Sequence, residues 1–429
     1  MPLFLICQEK EIVMSTYYRE LLDYIETVRP ISTHSHHLPD HIFQKKFDLD
    51  AILSSSYCDS FWCGAELQHG EQKLENYINL LKNRNFFKCT EKALQVLYGL
   101  DDPLRPETYS QFDARVKAAY ESDPDHHLAL LRDDCGYDRI ILDAYWNPGD
   151  DNGHPEIFSP ALRIDSFIMG LDPKLNQGGN LHEREYNRNR FCNTELYGER
   201  FSDGNFDDYC RAVQNVITER VKGNAVALKC AIAYQRGLDI DAVSEQQARS
   251  IFEKKESERS EGDLKAFEDY MFCYICRIAA ALDVPLQVHT GLGRLYRTNA
   301  SYLQPVIEAN PDTRFVLLHG SYPWLDDMLG LVHKYPNNVF PDIVWLPMIS
   351  LDAAIYMTSE LIAVSNAHSI CWGDDTWTSE EGYGSLLAVR HVLATVLARK
   401  VEQGYLSLQE SFEVAANILR ENARRLYRL

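Results

Sequence analysis

The sequence predicts an α/β protein, a distorted (β/α)8 TIM barrel with a helical insertion after its first strand. Short apolar runs rich in β-branched residues alternate with helical patterns, as βα units around a parallel sheet do. Eight such runs occur, which is the strand number of a closed barrel. Two successive runs end at His289 and His319, an interval of about 30 residues that matches the length of one βα repeat.

The predicted strands are spread along the whole chain. They cover residues 31–35, 138–145, 162–169, 224–232, 285–290, 314–320, 338–345 and 368–374. Among the helices, residues 386–401 carry an apolar stripe at helical spacing. The last helix is predicted to begin at the capping box formed by Ser407 and Glu410.

The domain prediction is one barrel domain spanning residues 1–429, with two segments that do not fit the βα repeat. Residues 40–135 are too long for one crossover and are expected to form a mostly helical insertion. Residues 172–206 are polar and rich in Gly and Asn, which is typical of a lid or a substrate loop when a connection is this long.

Composition limits the classes of partner. A formal net charge of −20 argues against nucleic acid, and no apolar window is long enough for a membrane span. The beginning, MPLFLICQEK, lacks the pattern of a signal peptide. The 11 cysteines have no framework spacing, and Cys273 and Cys276 are expected to be two buried thiols. We therefore expect a cytoplasmic protein with a small-molecule substrate, and a homo-oligomer is left open.

The most informative short motif is THSHH at residues 33–37. Alone, it fits a metal site or a polar loop about equally well. Residues i and i+2 of a strand face the same side, so His34 and His36 should point together into the barrel. His37 should face the other way, and its presence is predicted to be incidental.

Further candidate ligands follow other predicted strands. His289 ends the fifth, His319 ends the sixth, and Asp374 and Asp375 end the eighth. Barrel enzymes carry their active sites at the carboxyl ends of the strands, so these side chains should meet at one rim. Imidazoles together with a carboxylate suit Zn²⁺, Fe²⁺ or Mn²⁺.

This ordered set resembles the amidohydrolase superfamily, and within it the amidohydrolase-2 branch of metal-dependent TIM-barrel hydrolases. ALKCAIAYQRGL (227–238) looks like the fourth-strand segment of relatives fused to glutamine synthetase-like domains. ILRENARRLYRL (418–429) is similar to the closing helix of that branch. THSHHL is also close to the Thr-His-Cys-His-Leu motif of uronate isomerases.

The resemblance implies a ligand set of His34, His36, His289 and Asp375, with Asp374 facing away. His319 would bind a second ion or polarise the substrate. Lys229 stands where some relatives carry a carboxylated, metal-bridging lysine, and it could also bind a substrate carboxylate or form a salt bridge. Where relatives often have Asp, two residues before the first histidine, this chain has Ser32.

These parts favour hydrolysis of a C–N or C–O bond in a small, carboxylate-bearing substrate, assisted by a divalent metal, Zn²⁺ being favoured over Mn²⁺ or Fe²⁺. Asp375 would move the proton and His319 would stabilise the oxyanion, so these two are the predicted catalytic residues. Five further residues are predicted to bind substrate: Arg163, Lys229, Tyr234, Arg236 and Trp377. For Arg163 and Arg236, ion pairing is the equally weighted alternative.

Three other functions are kept open. A uronate isomerase-like interconversion of aldose and ketose sugar acids shares the HxH motif and the Asp after the eighth strand. A metal-dependent decarboxylase of the same branch is the second alternative. A non-enzymatic binding protein is disfavoured, because an open metal site would have no evident purpose in one.

Overall fold

The structure is a computed structural model, and it describes residues 16–172, 205–365 and 367–429. The segment MPLFLICQEK and nearly all of the predicted loop at 172–206 lie outside these residues. Seven strands are found in the described part of the chain, and seven of the eight predicted strands overlap one of them. They are β1 Ile31–Ser35, β2 Arg139–Leu142, β3 Phe158–Arg163, β4 Ala227–Cys230, β5 Leu286–His289, β6 Phe315–Leu318 and β7 Val339–Pro341.

Two strand predictions need correction. The third strand lies earlier than predicted, because residues 165–168 form a short helix, and β3 ends at Arg163. Residues 368–374 form no full strand, although Cys371 makes a single bridge. The residues on both sides of this range leave the extended conformation, with φ +56° at Ala367 and +55° at Asp375, so only a short stretch around Cys371 can pair.

The helices fill the intervals between strands. Those before β2 are α1 Thr16–Thr27, α2 Asp40–Phe43, α3 Leu49–Ser54, α4 Ser60–Cys63, α5 Glu71–Leu81, α6 Asn85–Tyr98, α7 Tyr109–Ser122 and α8 His126–Ala129. Those after β3 are α9 Asp165–Ile168, α10 Phe206–Gly223, α11 Glu245–Phe252, α12 Glu261–Leu282, α13 Gln304–Ala309 and α14 Leu325–Lys334. After β7 come α15 Leu346–Ile349, α16 Leu351–Ser365, α17 Ser379–Glu402, α18 Leu408–Ala416 and α19 Asn422–Tyr427.

The chain divides into two compact units. The first comprises Met1–Ile140, His154–Phe158 and Ile343–Arg425, and the second comprises Ile141–Gly153, Ser159–Asp342 and Leu426–Leu429. In the second unit, β3 to β7 pair in parallel and in chain order, with Lys229 opposite Gln287 and His289 opposite Leu318. This succession of parallel strands with intervening helices is the α/β barrel pattern predicted from the sequence.

In the first unit, β1 is bordered by the segment that follows α16. The amide of Thr33 donates to the carbonyl of Trp372 (3.1 Å), and the amide of Asp375 donates to the carbonyl of His34 (3.0 Å). Between these two bonds stands Gly373, where a Cβ would lie 2.7 Å from the backbone nitrogen of His34. The eighth segment and the first strand are therefore neighbours, as they are in a closed barrel.

The insertion after β1 also belongs to the first unit and is mostly helical, as predicted. Its helices α2 to α7 surround a hydrophobic core of their own. That core is made of fully buried side chains that include Phe43, Leu49, Ile52, Leu53, Tyr77, Ile78, Leu81, Phe87, Leu94, Phe112 and Val116.

The predicted C-terminal helices are confirmed. The helix expected at 386–401 lies within α17, and Leu386, Val389 and Leu393 are buried. Ser407 and Glu410 form the predicted capping box of α18. Among the described residues, no helix is long and apolar enough to cross a bilayer.

Close packing of α17 against α6 gives a test of the fold. A Cβ at Gly384 would lie 2.8 Å from the carbonyl oxygen of Cys89, a backbone atom that cannot turn aside. We expect Gly384→Ala to lower the free energy of unfolding by about 1–3 kcal/mol. Gly330→Ala, in the interior of α14 with nothing within 4 Å, is the matched control and should raise it by up to about 1 kcal/mol. Urea denaturation of both variants measures this, and equal effects would contradict the packing.

Candidate metal centre

Strand β1 brings two histidines together in the first unit. His34 and His36 are both buried, and their potential ligand atoms lie within 4.8 Å of one another. Their rings are 4.8 Å apart, as the alternation of a strand requires for residues i and i+2. The Nε2 atoms of His34 and His36 lie 3.5 and 3.3 Å from the same carboxylate oxygen, Oδ1 of Asp375.

Asp375 owes its position to an unusual backbone conformation. Its φ of +55° is a left-handed value that side chains other than glycine seldom adopt. Its amide donates to the carbonyl of His34 at 3.0 Å, and its own carbonyl accepts from the hydroxyl of Tyr57 at 2.8 Å. These bonds fix the direction of the carboxylate, which is 4% exposed as a residue.

The neighbouring carboxylate, Asp374, turns away from the two histidines and is fully buried. It accepts hydrogen bonds from Ser32 Oγ (3.0 Å), His37 Nε2 (3.1 Å) and the hydroxyl of Tyr137 (2.9 Å). Burial alone would raise the pKa of Asp374, but the charge and hydrogen bond of His37, with the other donors, hold it below the usual value. The prediction that His37 is incidental is wrong, because His37 is one of the donors that hold Asp374.

A second group of predicted site residues lies in the second unit. Nδ1 of His289, the last residue of β5, is 2.8 Å from Nε2 of His319, and Nε2 of His289 contacts the carbonyl oxygen of Leu292. The ring of Tyr234 packs 4.5 Å from that of His289. His319 has φ +68° and is buried, as a residue at a strand-to-loop turn can be when its surroundings impose the conformation.

Arg163 and Lys229 stand at the carboxyl ends of β3 and β4 in the same unit. The guanidinium of Arg163 donates to both carboxylate oxygens of Asp143, at 3.1 Å from Nε to Oδ1, and lies 3.4 Å from Asp165. Lys229 is paired in register with Arg163 and is 1% exposed. Both predicted substrate-binding residues are therefore buried beside charged or polar neighbours of adjacent strands.

Arg236, which follows β4 in the chain, forms ion pairs of its own. It contacts Glu268 (2.8 Å) and Asp269 (2.6 Å), and these carboxylates raise the pKa of its guanidinium despite burial. It lines a cavity of about 560 Å³ whose other charged residues include Asp239 and Lys265. Arg236, like Arg163, therefore engages two carboxylates, which agrees with the ion-pairing alternative for both residues.

Trp377, predicted to line the site, stacks on His36 with ring centroids 5.5 Å apart and planes at 24°. Trp372 is fully buried, which agrees with core packing. Sequence reasoning did not single out Tyr57, Tyr137, Asp143 or Asp165. Tyr57 had no motif to mark it, because it lies in the insertion between α3 and α4. Asp143, one residue beyond β2, could have been found by searching every strand end for carboxylates.

Comparison with known proteins supports the predicted resemblance. The family model described as Amidohydrolase matches residues 241–429, a range that includes His289, His319 and Asp375 but not β1. Protein fluG of Emericella nidulans is 28% identical over 244 residues, which are 52% of this chain and 28% of that protein. The chain thus corresponds to little more than a quarter of that relative's length.

Solved structures share the fold. A protein assigned as a metal-dependent hydrolase from Lactobacillus casei has a TM-score of 0.68 at 18% identity, covering 95% of this chain and 97% of that one. Glucuronate isomerase from Caulobacter crescentus has a TM-score of 0.74 at 14% identity, with 100% and 98% covered. Uronate isomerase from Thermotoga maritima has a TM-score of 0.75 at 16% identity, with 96% and 98% covered. The barrel class is confirmed by these likenesses, which at such identities concern the fold alone.

The hydrogen bonds to Asp374 generate a stability prediction. Burial raises the pKa of the Tyr137 hydroxyl well above its usual value, so this group remains a donor to Asp374 at neutral pH. We expect Tyr137→Phe to lower the free energy of unfolding by about 1.5–3 kcal/mol, since a bond to a charged partner is lost. Tyr274→Phe, which loses bonds only to neutral acceptors, the carbonyl of Cys210 and Oε1 of Gln214, should cost about 0.5–1.5 kcal/mol. Chemical denaturation at pH 7 compares them, and a Tyr137→Phe effect no larger than the control would contradict this role.

Proposed function

The resemblance to the amidohydrolase family is confirmed for residues 241–429, and from that premise we propose that this protein is a metal-dependent hydrolase. The substrate class is a small molecule that bears a carboxylate, and the bond cleaved is C–N or C–O. The observation that carries the proposal is the group formed by His34, His36 and Asp375.

The distances in this group fit a metal site better than hydrogen bonding. Two imidazole nitrogens lie 3.5 and 3.3 Å from one carboxylate oxygen, which is longer than a charge-assisted hydrogen bond of about 2.7–2.9 Å. Donor atoms about 2.0–2.1 Å from a tetrahedral ion lie about 3.3–3.4 Å from each other. All three residues are buried, which suits ligands that must exclude competing water.

The complete ligand set of the proposal is His34, His36, His289 and Asp375. His289 is included because it is the last residue of β5, where the order of motifs along the chain predicts a ligand. In the proposal His319 faces the substrate rather than the ion, and Lys229 binds the substrate carboxylate together with Arg163. Nitrogen and oxygen donors of this kind suit Zn²⁺ first and Mn²⁺ or Fe²⁺ next.

These residues would hold a divalent ion, which would supply Lewis-acid activation of water at neutral pH. The protein's own groups do the remaining work in the proposed reaction. The carboxylate of Asp375 accepts the proton of the attacking water and delivers it to the leaving group. The imidazole of His319 donates a hydrogen bond to the oxyanion as it develops. Trp377 forms a wall of the pocket beside His36, where its ring can exclude water.

The setting proposed for this enzyme is the cytoplasm. The nine cysteines in the described part of the chain are in the thiol form, and burial raises the pKa of Cys276 well above its usual value, so this thiol resists oxidation. This agrees with a reducing compartment. The small-molecule substrate is the partner proposed here, and a homo-oligomer is compatible with it.

Metal content is the direct test of the ligand assignment. We expect the purified protein to hold a divalent ion and the double variant His34→Ala/His36→Ala to lose it, together with any hydrolytic activity, because two donors are removed. Elemental analysis per mole of chain measures the loss. His333→Ala, which changes an exposed histidine near the end of α14, should retain the ion. Unchanged metal content in the double variant would refute the assignment.

A second candidate function is a uronate isomerase-like interconversion of sugar acids. The observation in its favour is that this chain aligns with the glucuronate and uronate isomerase structures over 96–100% of its length. The same residues would serve it, with Asp375 and His319 moving protons between adjacent carbons. A decarboxylase is the third possibility and rests on the family branch alone.

An assay on sugar acids separates these functions. We expect no ketose when the metal-loaded protein is incubated with glucuronate or galacturonate, because the proposed reaction needs a C–N or C–O bond to a leaving group. Proton NMR of the mixture detects both sugars without a coupled enzyme. Ketose formation that is lost in the His34→Ala/His36→Ala variant would overturn the hydrolase proposal and establish the isomerase.

A further inference from the structure

Tyr57 connects the helical insertion to Asp375, one of the proposed ligands of the first unit. It lies between α3 and α4 and is 2% exposed. Its hydroxyl donates to the carbonyl oxygen of Asp375 (2.8 Å), and its amide donates to Oε1 of Glu381 (3.0 Å). Glu381 stands in the first turn of α17, so Tyr57 holds both ends of the segment from 375 to 381.

The aromatic ring of Tyr57 is held as firmly as its polar atoms. It stacks on Trp345 at 4.7 Å with an interplanar angle of 25° and meets Trp377 edge-on at 5.1 Å. A third ring, that of Trp62, packs against both Tyr57 and Trp345 at 5.2 Å. Because Trp377 in turn stacks on His36, Tyr57 reaches two of the proposed ligands, Asp375 through its hydroxyl and His36 through Trp377.

The hydrogen bond from Tyr57 to Asp375 matters because of the backbone conformation of Asp375. A left-handed φ at a non-glycine residue persists only where its surroundings impose it. Here two hydrogen bonds do so: the amide of Asp375 is fixed to His34, and its carbonyl is fixed to Tyr57. Without the hydroxyl, the buried carbonyl loses a donor, and the peptide can rotate toward ordinary values, which would swing the carboxylate away from the imidazoles.

We propose that Tyr57 is a positioning residue that sets the Asp375 carboxylate for metal binding through the hydrogen bond to its carbonyl. This rests on the metal site of the proposed function and adds to it a role for the insertion. Tyr57 does not touch the ion or the substrate in this role. It acts on Asp375 by holding the backbone from which the carboxylate projects.

The test is the affinity of metal-free protein for Zn²⁺, measured by competition with a chromophoric chelator. Tyr57→Phe keeps the ring and its contacts with Trp345 and removes only the hydroxyl. We expect it to weaken Zn²⁺ binding about tenfold, the lower end of what loss of a group supporting a ligand produces. Tyr209→Phe is the matched control, because this buried tyrosine also gives its hydroxyl to a backbone carbonyl, that of Phe167, at 2.7 Å.

Melting of the metal-free proteins separates positioning from general destabilisation. The proposal expects similar melting temperatures for Tyr57→Phe and Tyr209→Phe, with weakened Zn²⁺ binding only in Tyr57→Phe. Equal affinities in Tyr57→Phe and the unaltered protein would overturn it, as would equal weakening in the two variants. His36→Ala serves as the reference: if it weakens binding and Tyr57→Phe does not, the positioning role alone fails. If His36→Ala leaves Zn²⁺ binding unchanged, the metal site itself fails.

Discussion

The left-handed backbone of Asp375 is the constraint on which the site in the first unit depends. It places one carboxylate oxygen 3.3–3.5 Å from two imidazole nitrogens while the adjacent carboxylate of Asp374 points the opposite way. The side chains of consecutive residues in an extended strand also point to opposite sides. At Asp375, however, the left-handed backbone also turns the chain, which then continues into α17. The close approach of Gly373 to His34 leaves no room for a side chain between the two segments.

The insertion after β1 contributes to the site through its own core. Cys58 and Cys63, buried members of that core, directly follow Tyr57 and Trp62 in the chain, and both of these rings contact Trp345. The ring of Tyr57 also contacts Trp377. Asp374 is the second residue that supports the site, because its buried carboxylate accepts hydrogen bonds from Ser32, His37 and Tyr137. Ser32, in β1, donates to the carboxylate of Asp374, which comes from the eighth segment.

Local periodicity explains why much of the fold could be predicted from the sequence. Alternation in β1 predicted that His34 and His36 lie side by side, as they do, and a capping box located the start of α18. The third strand was misplaced because five of the eight residues in LRIDSFIM (162–169) are apolar, so strand and short helix could not be told apart from pattern alone. Only tertiary contacts reveal that Asp165 begins a helix.

The site residues that the sequence did not indicate are held by contacts between positions far apart in the chain. The bond from Tyr57 to Asp375 joins residues 318 positions apart, and no spacing rule describes it. The interpretation of His37 as incidental failed for the same reason, because its partner Asp374 is 337 positions away. Arg236 matched a family motif, yet its charge is used by two carboxylates of α12, Glu268 and Asp269.

The central claim is that His34, His36 and Asp375 hold a divalent ion, and anomalous diffraction from zinc-loaded crystals tests it most directly. We expect an anomalous peak about 2.0–2.2 Å from Nε2 of His34, Nε2 of His36 and a carboxylate oxygen of Asp375. A peak bound by other residues, with these three side chains contacting only each other, would contradict it.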